Sequence, residues 1–264
     1  MKATAIIPAR YDSTRLPGKP LIEIKGKPLI QYVYEQVRSS SVQQVIVATD
    51  DKRIVSAVTG FGGEAVLTSP HHRSGTARVA EVAAGIDAAI VVNCQGDEPL
   101  IQPEAIDKAI QVFEQDPSIQ VSTLITPLEK GDDLCNPHVV KVVVDHEGFA
   151  LYFSRAPIPY PRQGLEKTAG AEGESLKVME LIKRLGKLDK KDLGGYWQHI
   201  GLYAFRREFL LKLAALPPSP LESMEKLEQL RILENGYKIK TVICFTPSIG
   251  IDTPEDVQRF TTLI

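Results

Sequence analysis

The N-terminal stretch of the chain decides its fold, and it reads ATAIIPARYDSTRLPGK over Ala3–Lys19. Ala3–Pro8 is apolar on both faces, which predicts a strand buried inside a parallel sheet. The following loop carries Arg10, Arg15 and Lys19 among prolines and a glycine. Proline restricts such a loop and glycine lets backbone amides approach a ligand, so three cations there suit a triphosphate or pyrophosphate. The alternative is a solvated basic turn.

Strand-like and helix-like segments alternate after this loop. The predicted strands are Val45–Thr49, Glu64–Leu67 and Ile90–Cys94. The predicted helices are Pro28–Ser39, one from about Asp51, Gly75–Ala84 and Pro103–Gln115. Apolar strands separated by helices predict an α/β fold, a mostly parallel sheet with helices on both faces. Right-handed crossovers then bring the ligand-binding loops to the carboxyl ends of the strands.

The pattern changes near Val121, where strands follow one another closely. They are Val121–Thr126, Val139–Asp145 and Ala150–Ser154, with a turn at His146–Gly148. We therefore expect one domain over residues 1–264, with a small antiparallel lobe over about 121–205 and a polar surface insertion over 163–195. The remaining predicted elements are a strand His199–Phe205, a helix from Ser219 to Asn235, a strand Lys238–Cys244 and a helix Pro254–Leu263.

Composition excludes some classes of partner. The formal net charge is -2, so the chain lacks the basic field that holds nucleic acid. The apolar start is too short for a signal peptide and no apolar run is long enough to span a bilayer, so we expect no membrane partner. Cys94, Cys135 and Cys244 are far apart, and two of them lie in apolar runs. This usage is typical of reduced core cysteines and indicates a cytoplasmic compartment.

A second group of polar residues follows the predicted strand that ends at Cys94. Gln95, Asp97 and Glu98 lie on a turn bounded by Gly96 and Pro99. A carboxylate there lies at the same sheet edge as the basic loop and can hold Mg²⁺, but a turn aspartate bonded to its own backbone is an equal alternative. The glycine-rich motifs of P-loop kinases and dinucleotide-binding dehydrogenases are absent.

Further polar positions have two interpretations each. Asp252 either binds a ligand or starts the last helix, and Asp50–Asp51 is open in the same way. The backbone amides and hydroxyls of His71–Thr76, just before a helix, could hold a ribose or a base. His199 lacks the spacing of a zinc site. Asp97-Glu98 is not the Asp-x-Asp of a metal-dependent glycosyltransferase.

Together these segments resemble the CMP-KDO synthetases, the 3-deoxy-manno-octulosonate cytidylyltransferases. The matching pieces, in family order, are IIPARYDSTRLPGKPL, VIVATDD, HRSGTARVAEV, VVNCQGDEPLI, NPHVVKVVVDHEGFALYFSRAPIP, QHIGLYAFRREFL, SPLESMEKLEQLRILENG and GIDTPEDV. They cover nearly the whole chain outside Gln163–Gly195, which looks longer than the family's usual connection. The resemblance implies a nucleotide-diphospho-sugar transferase-like fold and a homodimer. It also implies a Mg²⁺-dependent reaction of CTP with KDO that gives CMP-KDO and pyrophosphate, for lipopolysaccharide biosynthesis.

The resemblance also implies roles for particular residues. The catalytic set would be Arg10 and Lys19, which neutralise the triphosphate, with Asp97 and Asp252, which hold Mg²⁺. The residues that frame the cytidine, besides Arg10 and Lys19, would be Ala9, Ser74, Arg78 and Gln95. The residues that line the sugar pocket would be Arg155, His199, Tyr203, Glu228 and Gln229. Arg15 takes a supporting role, and no side chain is assigned as a general base.

Periodicity alone does not support all of these roles. Glu228 and Gln229 read as ordinary surface positions of a helix, and His199 and Tyr203 share one face of a strand, which suits a core layer equally well. Two alternative functions stay open. One is a cytidylyltransferase for another acidic sugar, such as sialic acid or an amino-substituted KDO. The other is a non-catalytic nucleotide or sugar sensor on the same fold.

Overall fold

A computed structural model of the chain describes residues 1–12, 16–72, 74–160, 185–188, 190–245 and 250–264. Arg15 and most of the predicted insertion over 163–195 lie outside the described residues. The chain divides into two compact units, unit 1 with Met1–Leu124, Gly201–Leu216 and Thr246–Ile264, and unit 2 with Ile125–Ile200 and Pro217–Phe245. The expectation of a single domain with a lobe over 121–205 stays a prediction.

The secondary structure alternates between strands and helices over the first half of the chain. The strands are β1 Ala3–Ala9, β2 Glu23–Ile24, β3 Lys27–Pro28, β4 Gln44–Thr49, β5 Glu64–Leu67, β6 Ile90–Asn93, β7 Val121–Pro127, β8 Lys141–Val144, β9 Ala150–Ser154, β10 Trp197–Arg206 and β11 Lys240–Ile243. The helices are α1 Leu29–Arg38, α2 Lys52–Gly60, α3 Gly75–Ala84, α4 Pro103–Gln115, α5 Gly131–Cys135, α6 Arg207–Ala214, α7 Pro220–Glu225, α8 Gln229–Glu234 and α9 Pro254–Leu263. No helix in these described parts is long and apolar enough to cross a membrane.

The core of unit 1 is a sheet whose central strands are parallel. β1 pairs in parallel with β4 on one side and β6 on the other, β5 extends the sheet from β4, and β10 runs antiparallel to β6. Ala5, Ile6 and Ile7 of β1 are fully buried, as a strand covered on both faces requires. Helix α1 packs against α4 and α3 packs against α6. The predicted α/β class with a mostly parallel sheet is confirmed.

Unit 2 contains the antiparallel pairs. β8 pairs with β9 through a turn in which Gly148 has a φ of 77°, and β8 also pairs with the first residues of β10. A separate apolar cluster in this unit joins Leu128, Leu134, Leu185, Leu193 and Tyr196. The described end of the 163–195 stretch therefore contributes buried leucines to the core of unit 2.

The prediction of one continuous helix from Ser219 to Asn235 was wrong. The capping box formed by Ser219 and Glu222 is present, but the chain leaves the helix at Lys226, whose φ is 55°. The guanidinium of Arg155 donates hydrogen bonds to the backbone carbonyls of Glu225 and Lys226, at 2.7 and 3.4 Å. Because these carbonyls bind a side chain, α7 ends and α8 starts anew.

Candidate functional site

An ammonium and two carboxylates meet in unit 1, after the strands β1 and β6. Lys19 Nζ donates to Asp97 Oδ2 at 2.7 Å, to Asp252 Oδ1 at 2.9 Å and to the carbonyl of Ile251 at 2.9 Å. The Lys19 side chain is 13% exposed. The structure thus brings together three of the four predicted catalytic residues from distant parts of the sequence.

The loop between β1 and Lys19 is held by its own aromatic residue. The amide of Gly18, whose φ is 68°, donates to the carbonyl of Tyr11 at 3.0 Å. The guanidinium of Arg53 lies 3.4 Å from the centroid of the Tyr11 ring. A β-carbon at Gly18 would approach that ring to 3.2 Å, so glycine allows both the positive φ and the close packing.

The position of Asp252 is set by the start of α9. Thr253, rather than Asp252, is the N-cap, and it forms a capping box with Asp256. The amide of Ile251 donates to the carbonyl of Asp97 at 2.8 Å, which draws the two loops together. The Asp252 carboxylate is therefore not the cap of the helix, and it accepts a hydrogen bond from Lys19.

Glu98 is a third carboxyl group at this place, on the same turn as Gln95 and Asp97. Burial, followed by the negative charges of Asp97 and Asp252, raises the pKa of Glu98 to about 8. Its Oε2 atom is buried and has no hydrogen-bond partner among the described residues. The sequence signal was its position beside Asp97, but only the fold shows that this side chain points inward.

The donor set suits a hard divalent cation. One oxygen of Asp97 and one of Asp252 already bind a cation, the Lys19 ammonium. The described residues hold no group of three or more His, Cys, Asp or Glu side chains suited to a metal. Two carboxylates are nevertheless what Mg²⁺ usually takes from a protein, since phosphates and water complete its coordination.

Several of the predicted cytidine residues lie close together beside this cluster. Ala9 is buried at the end of β1 and Arg10 is exposed directly after it. A β-carbon at Gly75 would lie 3.4 Å from the Pro8 ring and 4.0 Å from Gln95 Oε1, so the start of α3 adjoins the end of β1 and the Gln95 side chain. The sheet edge therefore brings these loops together, as predicted.

The two remaining cytidine candidates have structural partners. Ser74 caps α3, and its hydroxyl accepts from the Ala77 amide at 3.2 Å. Arg78 is buried and donates to Asp50 Oδ2 at 2.6 Å and to Thr68 Oγ1 at 2.5 Å. The Asp50–Asp51 pair thus divides its roles, since Asp50 binds Arg78 while Asp51 caps α2. The ion pair with Asp50 was not found by sequence reasoning.

The predicted sugar residues, apart from Tyr203, belong to unit 2. Arg155 donates from Nε to the carbonyl of Glu225 at 2.7 Å and from a terminal nitrogen to that of Pro137 at 2.8 Å. The Glu225 carboxylate in turn accepts from Ser154 Oγ at 2.6 Å and from the Arg155 amide at 3.0 Å. Much of the hydrogen-bonding capacity of the Arg155 side chain is therefore used within unit 2.

The other sugar candidates differ in burial. Burial lowers the pKa of His199 to about 3, and its ring meets Phe153 edge to face, so the imidazole is neutral near pH 7. Gln229 is buried, and its Nε2 has no partner among the described residues, whereas Glu228 is partly exposed. Tyr203 belongs to unit 1, and its ring stacks on that of Phe205 with 5.7 Å between the ring centroids.

Comparison with known proteins identifies close relatives. A family model described as cytidylyltransferase matches residues 4–239. Proteins named 3-deoxy-manno-octulosonate cytidylyltransferase are 50% identical in Syntrophotalea carbinolica, over 98% of this chain and 97% of the relative, and 47% identical in Aliivibrio fischeri, over 100% and 99%. A solved structure of CMP:2-keto-3-deoxy-manno-octonic acid synthetase complexed with CTP is 40% identical, with a TM-score of 0.85, and the match covers 100% of this chain and 98% of that one.

Proposed function

The chain belongs to the 3-deoxy-manno-octulosonate cytidylyltransferase family, and from this we propose that it transfers the cytidylyl group of CTP to KDO. The anomeric hydroxyl of KDO loses its proton to solvent, and its oxygen forms a bond to the α-phosphorus of CTP. The bond from that phosphorus to the bridging oxygen of the β-phosphate breaks, and pyrophosphate leaves. The product, CMP-KDO, is an activated sugar for lipopolysaccharide biosynthesis.

The observation that carries this proposal is the meeting of Lys19, Asp97 and Asp252 beside the loop that follows β1. The α-phosphate is shielded by its own negative charge, and the anomeric hydroxyl is a weak nucleophile. Positioning and charge neutralisation are what such a transfer requires from a protein. Arg10 and Lys19 would neutralise the triphosphate, while the carboxylates fix the place where positive charge collects.

Asp97 and Asp252 would hold the Mg²⁺ cofactor. When bound, this ion would offset charge on the α-phosphate and lower the pKa of the attacking hydroxyl. The carboxylates accept two of the three hydrogen bonds that Lys19 donates, and their oxygens are the hard donors that Mg²⁺ prefers.

The remaining residues would bind and orient the two substrates. Ala9, Gln95 and the amides at the start of α3, next to Ser74, would frame the cytidine, and Arg78 would be held in place by Asp50. On the sugar side, the buried amide of Gln229 and the neutral ring of His199 supply groups that can bind hydroxyls without adding charge. Arg155, Tyr203 and Glu228 complete this proposed set.

We also propose a cytoplasmic homodimer. Several large apolar side chains of unit 2 are exposed, among them Leu151, Met224 and Phe245. Exposed apolar side chains mark a surface that binds another protein chain when they form one contiguous patch. A second copy of this chain is the proposed partner.

The test is a pyrophosphate-release assay with several acidic sugars and all four nucleoside triphosphates. Release should require CTP, KDO and Mg²⁺ together. Turnover with sialic acid or an amino-substituted KDO in place of KDO would change the assigned substrate. No release from any combination would support a non-catalytic sensor and overturn the proposed activity.

A further inference from the structure

Lys19 occupies the oxygens that a metal ion would need. Its ammonium has three hydrogens, and the three acceptors at 2.7–2.9 Å are Asp97 Oδ2, Asp252 Oδ1 and the carbonyl of Ile251. Mg²⁺ binds oxygen at about 2.0–2.1 Å, so an ion bound to both carboxylate oxygens would overlap with the nitrogen between them. Lys19 and the metal ion therefore exclude each other at these atoms.

Lys19 already neutralises one of the two negative charges at this place, since its ammonium lies 2.7 Å from Asp97 Oδ2 and 2.9 Å from Asp252 Oδ1. A cation from solution therefore gains less at this pair of carboxylates than it would at a pair without a counter-ion.

We infer that Lys19 is an internal counter-ion that keeps the cation site closed until a nucleoside triphosphate draws its ammonium away. The inference deepens the proposed function and rests on it, because the triphosphate is the anion that receives Lys19. Each cation then exchanges one set of anionic oxygens for another, since Lys19 turns to phosphate oxygens and the metal ion takes Asp97 and Asp252.

This exchange couples the two ligands. Metal binding is weak without nucleotide because it must displace Lys19, and it strengthens when the triphosphate holds the ammonium elsewhere. By thermodynamic linkage, the metal ion strengthens nucleotide binding by the same factor. A variant without the ammonium lacks the competitor, and its carboxylates repel each other until a cation arrives.

The experiment measures Mn²⁺ binding in the absence of nucleotide, from the electron paramagnetic resonance signal of the free ion. The Lys19→Met variant keeps most of the side-chain stem and should bind Mn²⁺ at least about tenfold more tightly than the wild type, a change of about 1.4 kcal/mol. The matched control is Lys27→Met, which removes an exposed lysine paired with Glu35 and should leave the affinity unchanged. Adding Asp252→Asn to Lys19→Met should remove the gained affinity.

Equal Mn²⁺ affinities for the wild type and Lys19→Met would overturn the inference, as would tight binding that survives Asp252→Asn. Lys19→Gln carries the same test if circular dichroism shows that Lys19→Met is unfolded. Pyrophosphate release by the wild type separates the two proposals. Pyrophosphate release together with equal Mn²⁺ affinities would keep the proposed function and reject the inference. Tighter Mn²⁺ binding by Lys19→Met without any pyrophosphate release would keep the competition between Lys19 and the metal ion and reject the proposed function.

Discussion

At the scale of single residues, the site depends on a balance between one ammonium and a group of carboxyls. Lys19 compensates Asp97 and Asp252, while Glu98, buried beside them, has a pKa raised to about 8. Burial favours a neutral Glu98, which leaves two negative charges for one internal cation. The remaining negative charge is what a divalent cation can neutralise.

Replacing Asp97 tests whether its carboxylate takes part in the transfer. We expect Asp97→Asn to lower kcat by at least about a hundredfold, because a neutral amide cannot hold charge at the reacting phosphate. The Kd for CTP should change less, since Arg10 and the β1 loop are untouched. Steady-state pyrophosphate release measures kcat, and calorimetry measures the Kd for CTP.

The control is Asp87→Asn, at an exposed pair with Lys2, which should behave like the wild type. Near-normal turnover of Asp97→Asn would remove Asp97 from the metal site.

A second residue-scale prediction concerns Lys141, which is fully buried and donates to the carbonyls of Asn136, Val139 and Arg155. Burial lowers the pKa of Lys141 from 10.5 to about 8. The nearby Cys135, Glu225 and Asp133 partly oppose this shift, and the positive charge of Arg155 adds to it. Between pH 8 and 10.5 the unfolded chain therefore binds more protons than the folded chain. The free energy of unfolding should then rise with pH across this window, by up to about 3 kcal/mol relative to Lys141→Met.

Urea unfolding of the wild type and Lys141→Met at pH 8, 9 and 10 measures this slope. Lys2→Met removes an exposed lysine and should leave the slope as in the wild type. Curves for the wild type and Lys141→Met that run parallel across the window would show that the buried amine keeps its ordinary pKa.

Sequence reasoning found the charged residues of the site but not all of their partners. The cations of the loop after β1 stood out by their clustering at the end of a strand, whereas the roles of Asp97 and Asp252 came from the family resemblance. Asp50 and Glu98 were candidates without an assigned partner, since a carboxylate next to another carboxylate also suits an ordinary turn. Whether a side chain points into the protein depends on backbone geometry that a single sequence does not specify.

At the scale of elements, strong local signals located most strands and helices. α3, α4, β5, β9 and α9 have the predicted bounds, because caps, prolines and apolar runs mark both of their ends. The break between α7 and α8 was missed, since the continuous helical pattern is overridden by the bonds from Arg155. That break is a tertiary effect, and it depends on a residue far away in the sequence.

Replacing Lys226, at this break, by glycine should stabilise the protein, whereas glycine inside a helix usually destabilises it. Its φ of 55° is a left-handed conformation that costs a residue with a β-carbon about 1–2 kcal/mol. Lys226→Gly relieves this cost, partly offset by the greater freedom of glycine in the unfolded chain, so the free energy of unfolding should rise by up to about 1 kcal/mol. Lys212→Gly inside α6 should lower it by about 1 kcal/mol. Urea midpoints at one pH compare the two, and a loss of stability in Lys226→Gly would contradict the account.

At the scale of the whole molecule, the chain order of elements predicted unit 1 better than unit 2. Parallel strands and crossover helices recur at regular intervals, so the sheet of β1, β4, β5 and β6 could be derived from periodicity. Unit 2 is built from two segments of the chain, and its apolar cluster includes Leu185 and Leu193 from a polar stretch. Such long-range packing leaves no periodic signal in the sequence.

The oligomeric state is the prediction that belongs to this scale. If a second copy covers the exposed apolar residues of unit 2, the wild type should sediment with the mass of two chains of 29.1 kDa each. Leu151 and Phe245 are 60% and 76% exposed, and Leu151→Glu with Phe245→Glu places a charge at each position, so this double variant should sediment as one chain. Leu263→Glu, 57% exposed in the last helix of unit 1, is the matched control and should stay a dimer. A wild type that sediments as one chain at micromolar concentration would reject the homodimer. A double variant that remains dimeric would place the interface away from Leu151 and Phe245.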